Sequence, residues 1–416
     1  MKSPITRNTN TNTNTKGTAT RGRMIALALL IATATGIASF PLIKQAQAIQ
    51  TVQNVAIAPV QSHRIEVVFV LDTTSSMSGL IQAAKEKIWS IATTMASAQQ
   101  NPDIRMGLVA FRDRGDAYIT RSYDLSNDLD SMYASLMDFR AQGGGDGPES
   151  VNQALHDAVH DMSWSDDSNT YKVIFLVGDA PPHMDYHNDV KYPLTLEAAR
   201  MKGIVVNAIQ SGQHQHTKPA WQAIASLGQG HYFQVEDSGN TVAVSTPYDE
   251  ELSALAAELE ATRLYFGDRE MKKAQQSKLE ANARLRKELS SEALARRDSF
   301  NATASGKANL LGDSELVEAI SSGSVELDEI KEENLPASLQ ALAPAEQLEV
   351  IAEQAKRRDE LQQEIRQLSE SRSDFIKQKI KADGGAEDSL DEKIYRAVKE
   401  QAASIGLTYE SDSASY

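Results

Sequence analysis

From residue 64 onward, two hydrophobic patterns alternate along the chain. The stretch RIEVVFVLD (64–72) is a continuous apolar run ended by an acid, as expected of a strand buried on both faces of a parallel sheet. Leu80, Ile81, Ala84, Ile88, Ile91, Ala92 and Met95 then recur at helical spacing, so the first helix is expected within a few residues. IRMGLVAFRD and AYITRSYDL read as the next two strands, and the short RGD turn between them suits an antiparallel pair at one edge. A helix around 127–139, the loop QGGGDGPES and a helix through about Met162 follow. YKVIFLVGD is a second fully buried strand, again ended by an acid. A helix over LTLEAARMKG, the strand IVVNAIQ, a helix around WQAIASL and a short strand HYFQV complete the series. Such alternation predicts a doubly wound, Rossmann-like α/β fold with a mainly parallel sheet, whose ligands bind at the carboxyl ends of the strands near a topological switch point.

Beyond residue 249 the pattern becomes helical throughout. Leu252, Leu255, Ala256 and Leu259 form an apolar stripe that packs on the preceding domain or on a partner, and a helical segment extends over 249–300. Residues 301–343 read as a mixed linker with short helices at SELVEAI and VELDEI, and 344–382 as one long amphipathic helix. In it Leu361, Ile365, Leu368 and Phe375 follow coiled-coil spacing, while Arg372 and Lys379 interrupt it, which favours a helical hairpin or partner contact, including self-association, over a long rod. Residues 383–416 read as a linker, a short helix and a tail.

The 416 residues exceed one ordinary core and carry a formal net charge of -15, which excludes nucleic-acid binding through the overall field. The absence of cysteine excludes disulfides, thiolate metal sites and cysteine nucleophiles. At the N-terminus, Arg7, Lys16, Arg21 and Arg23 precede the apolar MIALALLIATATGIASF, and AQA follows at 46–48. This is the pattern of a signal peptide over 1–48, with cleavage after Ala48 and a linker over 49–62. An uncleaved anchor facing the periplasm is the alternative. Either way the rest of the chain is expected outside the cytoplasm, in the periplasm or at the cell surface.

Candidate chemistry gathers at the strand ends. Asp72 in DTTSSM, Asp146 in GGGDGPES and Asp179 in VGDAPPH all fall where strands end or in loops on that edge. Ser, Thr and Asp before a helix commonly serve as caps. Three acids converging on one rim instead repel unless a cation sits among them, and an oxygen-only set of carboxylates and hydroxyls suits Mg²⁺, Mn²⁺ or Ca²⁺.

These motifs resemble the von Willebrand factor type A domain with its metal-ion-dependent adhesion site, over residues 63 to about 240, so that 63–248 is taken as that domain. The resemblance implies that Asp72, Thr74 and Ser76 hold the ion directly or through water, that Asp179 contributes from a third loop, and that a partner's acidic residue completes the site. Asp146 stands where many relatives place Thr, which adds a negative charge, and Glu149 is a second source of an oxygen there. Pro148-Glu149 also suits the first turn of the next helix.

The alternating His183, Asp185, His187 and Asp189 could build a catalytic metal centre, but two prolines after a buried strand argue for a solvated loop. His214 and His216 read as a polar loop. No P-loop, dinucleotide fingerprint or glycine-flanked nucleophilic Ser occurs. The expectation is therefore a non-catalytic, divalent-cation-dependent protein-binding module. A metal-dependent hydrolase on the same rim, or a structural protein without a working ion site, are the alternatives.

Overall fold

The computed structural model describes residues 63–79, 81–145, 147–235, 244–382, 390–411 and 414. The segments read as signal peptide and linker, and Asp146, lie outside the described residues. Six strands form one sheet: β1 (Arg64–Asp72), β2 (Asp103–Phe111), β3 (Thr120–Ser126), β4 (Thr170–Gly178), β5 (Ile204–Ser211) and β6 (Gln229–Val235). Their order is β3-β2-β1-β4-β5-β6, parallel except for the β2–β3 pair at the edge. The chain winds outward from β1 to β3, then crosses back to place β4 on the other flank of β1. The switch point therefore lies between β1 and β4, at the ends that carry Asp72 and Asp179.

Alternate residues of the apolar runs serve opposite faces. On one face Val67, Phe69, Val173 and Phe175 meet α1 (Ile81–Ala96), α2 (Leu129–Met137) and α13 (Leu390–Ala403), with the Phe69 and Phe175 rings stacked at 5.9 Å. On the other, Val68, Val70, Ile174 and Leu176 meet α3 (Val151–His160), α4 (Tyr192–Met201) and α5 (Lys218–Leu227). Both faces are thus covered by helices, which explains the unbroken apolar runs of β1 and β4. A short 3-10 turn, Ser75–Gly79, separates the end of β1 from α1.

The remaining helices are α6 (Asp249–Ala261), α7 (Arg269–Glu288), α8 (Ser291–Asn301), α9 (Lys307–Leu311), α10 (Leu316–Ser321), α11 (Ala337–Gln340) and the 39-residue α12 (Pro344–Ala382). Sheet and helices belong to one compact unit, Ser62–Tyr416. The apolar stripe of α12 packs within the chain. Leu361 and Ile365 pack on Ala256 and Leu259 of α6, and Ile376 and Ile380 enter the core beneath the sheet. Arg372 does not interrupt the stripe: it is buried, and its Nε donates to Asp249 at 2.8 Å. Arg358 is likewise buried and grips Glu315 through two bonds of 2.9 and 3.0 Å. Leu361, Ile365, Ile376 and Ile380 are thus taken up by the chain's own core, while Leu368 and Phe375 are half-buried.

A buried ion cluster joins these helices to the α/β part. Arg297 of α8, fully buried, donates twice to Asp130 of α2 at 2.7 Å, to Asp298 at 2.8 Å and to Glu260 of α6 at 2.9 Å.

Candidate metal centre

β1 delivers Asp72 to the sheet edge fully buried. Its Oδ1 accepts from the Thr74 amide at 2.8 Å and the Thr74 hydroxyl at 2.6 Å, while Oδ2 is buried with no partner. The Ser76 hydroxyl donates to Asp179 Oδ1 at 2.9 Å, so a single chain of side chains links the first and third loops. Thr74 Oγ1 and Ser76 Oγ face each other at 3.1 Å. Each hydroxyl has a carboxylate to donate to, which leaves its oxygen lone pairs free to accept or to ligate. Asp179 follows directly after β4 and is held by its carbonyl, which accepts from the Thr217 hydroxyl at 2.8 Å. Gly178 lets this packing close: a Cβ there would lie 2.9 Å from the Asp72 Cβ.

The second loop forms the opposite wall. The Gln142 amide donates to the Thr73 carbonyl at 3.0 Å and the Ser75 amide to the Gly143 carbonyl at 3.2 Å. Gly143 and Gly144 both have positive φ, and the Gly144 amide donates to Asp116 at 2.9 Å. A side chain at Gly144 would be strained by its φ of +78° and would press on Glu149 Oε1 at 3.1 Å. Glu149 itself is 3% exposed, with Oε2 buried and unpartnered. It is not in the first turn of a helix: α3 begins at Val151 with Ser150 as N-cap, so the helix-dipole reading is corrected.

Electrostatics at this edge are uncompensated. Burial, with the neighbouring Asp179 charge, pushes the Asp72 carboxyl up to about 7 against the pull of the Thr74 bonds. Burial, with the charges of Asp72, Asp113, Asp116 and Asp179, pushes Glu149 up to about 9. Among the described residues no three carboxylate or imidazole groups are drawn together as a ligand cluster. What converges is a mixed set of two carboxylates and two hydroxyls, with Glu149 beside it. The buried orphan oxygen of Asp72, beside the Thr74 and Ser76 hydroxyls and Asp179, fits a hard divalent cation. The residues that would hold it are Asp72, Thr74, Ser76 and Asp179. A cleft of about 480 Å³ opens onto Ser76 and Asp179, lined also by Glu149, Pro181, His214 and His216.

His183 is not in a solvated loop. It is 3% exposed, its Nδ1 bonds Asp185 at 2.8 Å, its Nε2 lies 3.4 Å from Asp113, and its ring stacks on Tyr186 at 3.9 Å. Asp113 also accepts from Ser150 at 2.9 Å and from Tyr186 at 2.8 Å. His187 is exposed, and among the described residues no metal-binding group of three His, Asp or Glu side chains is found. Asp189 is buried and paired with Arg114, and His214 and His216 are exposed on the cleft rim.

Comparison with known proteins gives two family matches: a von Willebrand factor A domain model over residues 66–244 and a von Willebrand factor type A domain model over 315–398. Across the second span the described residues form helices and 3-10 turns without a strand, so it does not mark a second sheet. The chain is 28% identical over 129 residues to the alpha-protein kinase vwkA of Dictyostelium discoideum, covering 30% of this chain and 20% of that one. It is 26% identical over 119 residues to a putative ariadne-like RING finger protein of Acanthamoeba polyphaga mimivirus, covering 29% of this chain and 11% of that one. The chain thus spans a fifth or less of these relatives' length. Among solved structures, the SpRpn10 VWA domain is 15% identical with a TM-score of 0.33, covering 42% of this chain and 89% of that one. Mussel byssus proximal thread matrix protein 1, in a form with a zinc-occupied MIDAS motif, is 17% identical with a TM-score of 0.35, covering 44% and 43%. The match over residues 66–244, with the strand order and the covered sheet described above, supports a von Willebrand factor A domain in this part of the chain.

Proposed function

We propose that this chain is a non-catalytic, divalent-cation-dependent protein-binding module exported to the cell envelope, with its helical region as a scaffold packed onto the binding domain. The observation that carries the reading is the buried, unpartnered Oδ2 of Asp72 at the switch point, beside hydroxyls already oriented by Asp72 and Asp179. A carboxylate placed there without a counter-charge costs stability unless an ion repays it. Mg²⁺, Mn²⁺ and Ca²⁺ are the ions that an all-oxygen set of this kind takes. The von Willebrand factor A domain supports a role in protein interaction or adhesion. The basic N-terminal region, its apolar stretch and AQA at 46–48 support export.

Calorimetric titration of the chain with Mn²⁺ and Mg²⁺ tests the ion, with Asp72→Ala as the variant expected to lose binding while keeping its far-UV spectrum. Affinity unchanged in the variant would remove the site. Capture of envelope proteins on the immobilised chain, with and without chelator, tests the role, and chelator-independent capture would count against it.

A further inference from the structure

We propose that His156 and His160, one turn apart on α3, form a two-imidazole clip for a borderline divalent transition ion of the Cu²⁺, Ni²⁺ and Zn²⁺ class, with Cu²⁺ held most tightly. The clip is separate from the candidate metal centre and does not rest on it, because its ligands are ring nitrogens instead of carboxylate and hydroxyl oxygens.

Three observations carry it. First, the helix brings the rings together. Residues four apart share one helix face. The core side of α3 is spent on Val151, Ala154, Leu155, Ala158 and Val159, which leaves His156 half-buried and His160 exposed on the outer flank. The two rings stack with centroids 4.3 Å apart and planes 19° from parallel. Two nitrogens bound at right angles to one ion at about 2 Å stand about 3 Å apart, a bite that small side-chain rotations give to rings already this close.

Second, the ring contacts select which nitrogens face outward. His160 Nδ1 lies 3.0 Å from the His156 carbonyl. A carbonyl oxygen only accepts, so Nδ1 carries the proton and Nε2 of the neutral ring keeps its lone pair. His156 Nδ1 lies 3.8 Å from Asp157 Oδ1, too far for a hydrogen bond but on the side where a carboxylate favours the Nδ1 proton, which again leaves Nε2 for an ion.

Third, the surroundings favour positive charge. Asp157 is buried, and its oxygens accept from the Thr120 hydroxyl and the Gln153 amide, each at 2.6 Å. Both donors are neutral, and among the described residues no lysine or arginine pairs with this carboxylate. A dication on the imidazole beside it supplies that charge. His160 is also the last residue of α3, where the helix end favours a cation. Among the described residues no group of three His, Asp or Glu side chains forms a metal cage, so water completes the shell. Imidazole ligands without thiolates suit Cu²⁺, Ni²⁺ and Zn²⁺, and of these Cu²⁺ stands highest in intrinsic affinity.

The test uses Cu²⁺ as probe on the untagged full chain, in excess Mg²⁺ so that oxygen ligands are already supplied with a hard cation. The variants are His156→Gln and His160→Gln, each checked by far-UV circular dichroism. Calorimetry should show Cu²⁺ affinity reduced more than about tenfold in each, since even groups standing behind a ligand cost that much when replaced. Electron paramagnetic resonance of the one-to-one complex should show two imidazole nitrogens in the wild type and fewer in either variant. His160 is exposed, so its variant keeps the fold and decides the matter alone should His156→Gln fail to fold. The double change His214→Gln and His216→Gln should bind Cu²⁺ as the wild type does. Equal affinity in the wild type and His160→Gln overturns the proposal. So does a one-to-one complex with fewer than two imidazole nitrogens, and so does a loss of binding confined to the His214 and His216 variant.

Discussion

Replacing Asp72 with Asn tests whether the carboxylate at the end of β1 is tolerated for the sake of a cation. Without metal its folded-state pKa of about 7 stands well above the ordinary 3.8, with burial as the main cause. A carboxyl raised in this way binds more protons folded than unfolded. Its contribution to stability is fully present below pH 3.8 and is lost as the pH rises through about 7. The full loss corresponds to about 4 kcal/mol, and to about 3 kcal/mol between pH 5 and pH 8. Asn keeps the acceptor at Oδ1 for the Thr74 amide and hydroxyl but places an amide nitrogen at the orphan Oδ2 position, which costs about 1–3 kcal/mol at every pH. Urea unfolding in EDTA, followed by circular dichroism, should therefore show the variant gaining on the wild type by about 3 kcal/mol from pH 5 to pH 8. Taking the difference between the two proteins at each pH cancels the titrating groups that do not feel Asp72, while Glu149, whose carboxyl burial and then the Asp72 charge push up, adds to the variant's gain. Saturating Mg²⁺ should reverse the ranking at pH 8, since an ion at 100 times its Kd adds about 2.7 kcal/mol to the protein that binds it. A difference that stays flat with pH in EDTA, or an equal Mg²⁺ response in both proteins, would refute the reasoning.

Three further outcomes follow from the same geometry. Arg297→Met should destabilise by about 3–5 kcal/mol, because it leaves Asp130, Glu260 and Asp298 buried without their shared cation, and denaturant unfolding at pH 7.5 reads it. The double change His183→Gln and His187→Gln should cost stability through the Asp113 and Asp185 contacts of His183 yet leave Mn²⁺ affinity within about twofold, and a loss of tightly bound zinc by mass spectrometry would instead favour a catalytic metal loop. Ending the chain at residue 389 should unfold or aggregate it, because Ile394, Tyr395, Val398 and Ala402 cover the sheet face that bears Phe69 and Phe175; a soluble truncated chain with native cooperativity in thermal unfolding would contradict that.

The strands were legible because burial on both faces writes itself as an uninterrupted apolar run, and their terminal acids stood out against it. Asp72 and Asp179 could be placed at one edge once the alternation fixed a parallel sheet, since all parallel strands end on the same side. Glu149 was harder to place. Its position depends on a bridge to Pro182, a long-range pairing with no local signature, and Pro148-Glu149 has the composition of a helix start. The true cap, Ser150, spends its hydroxyl on Asp113 instead of on the helix, so the usual side-chain signal of an N-cap is missing. His183 was misread for a related reason: prolines announce a loop, but nothing local announces that Asp113, seventy residues earlier in the chain, awaits its ring.

The helical region shows where a pattern of apolar residues stops being informative. Arg297, Arg358 and Arg372 sit at buried positions and read as polar gaps in the stripes, because their burial depends on Asp130 and Asp249 in other helices and on Glu315 at the cap of α10. The same long-range dependence ties this region to the ion edge. Arg297 fixes Asp130 in the first turn of α2; past the end of that helix, the Phe139 carbonyl accepts from Lys85 at 2.8 Å and the Arg140 carbonyl from Arg112 at 2.9 Å. Two residues further on, Gln142 and Gly143 are bonded to the backbone of Thr73 and Ser75. The wall of the candidate metal centre is thus the continuation of a helix that the C-terminal region clamps from beneath, and the ion pairs that hold it are invisible to a reading that scores each residue by its own polarity.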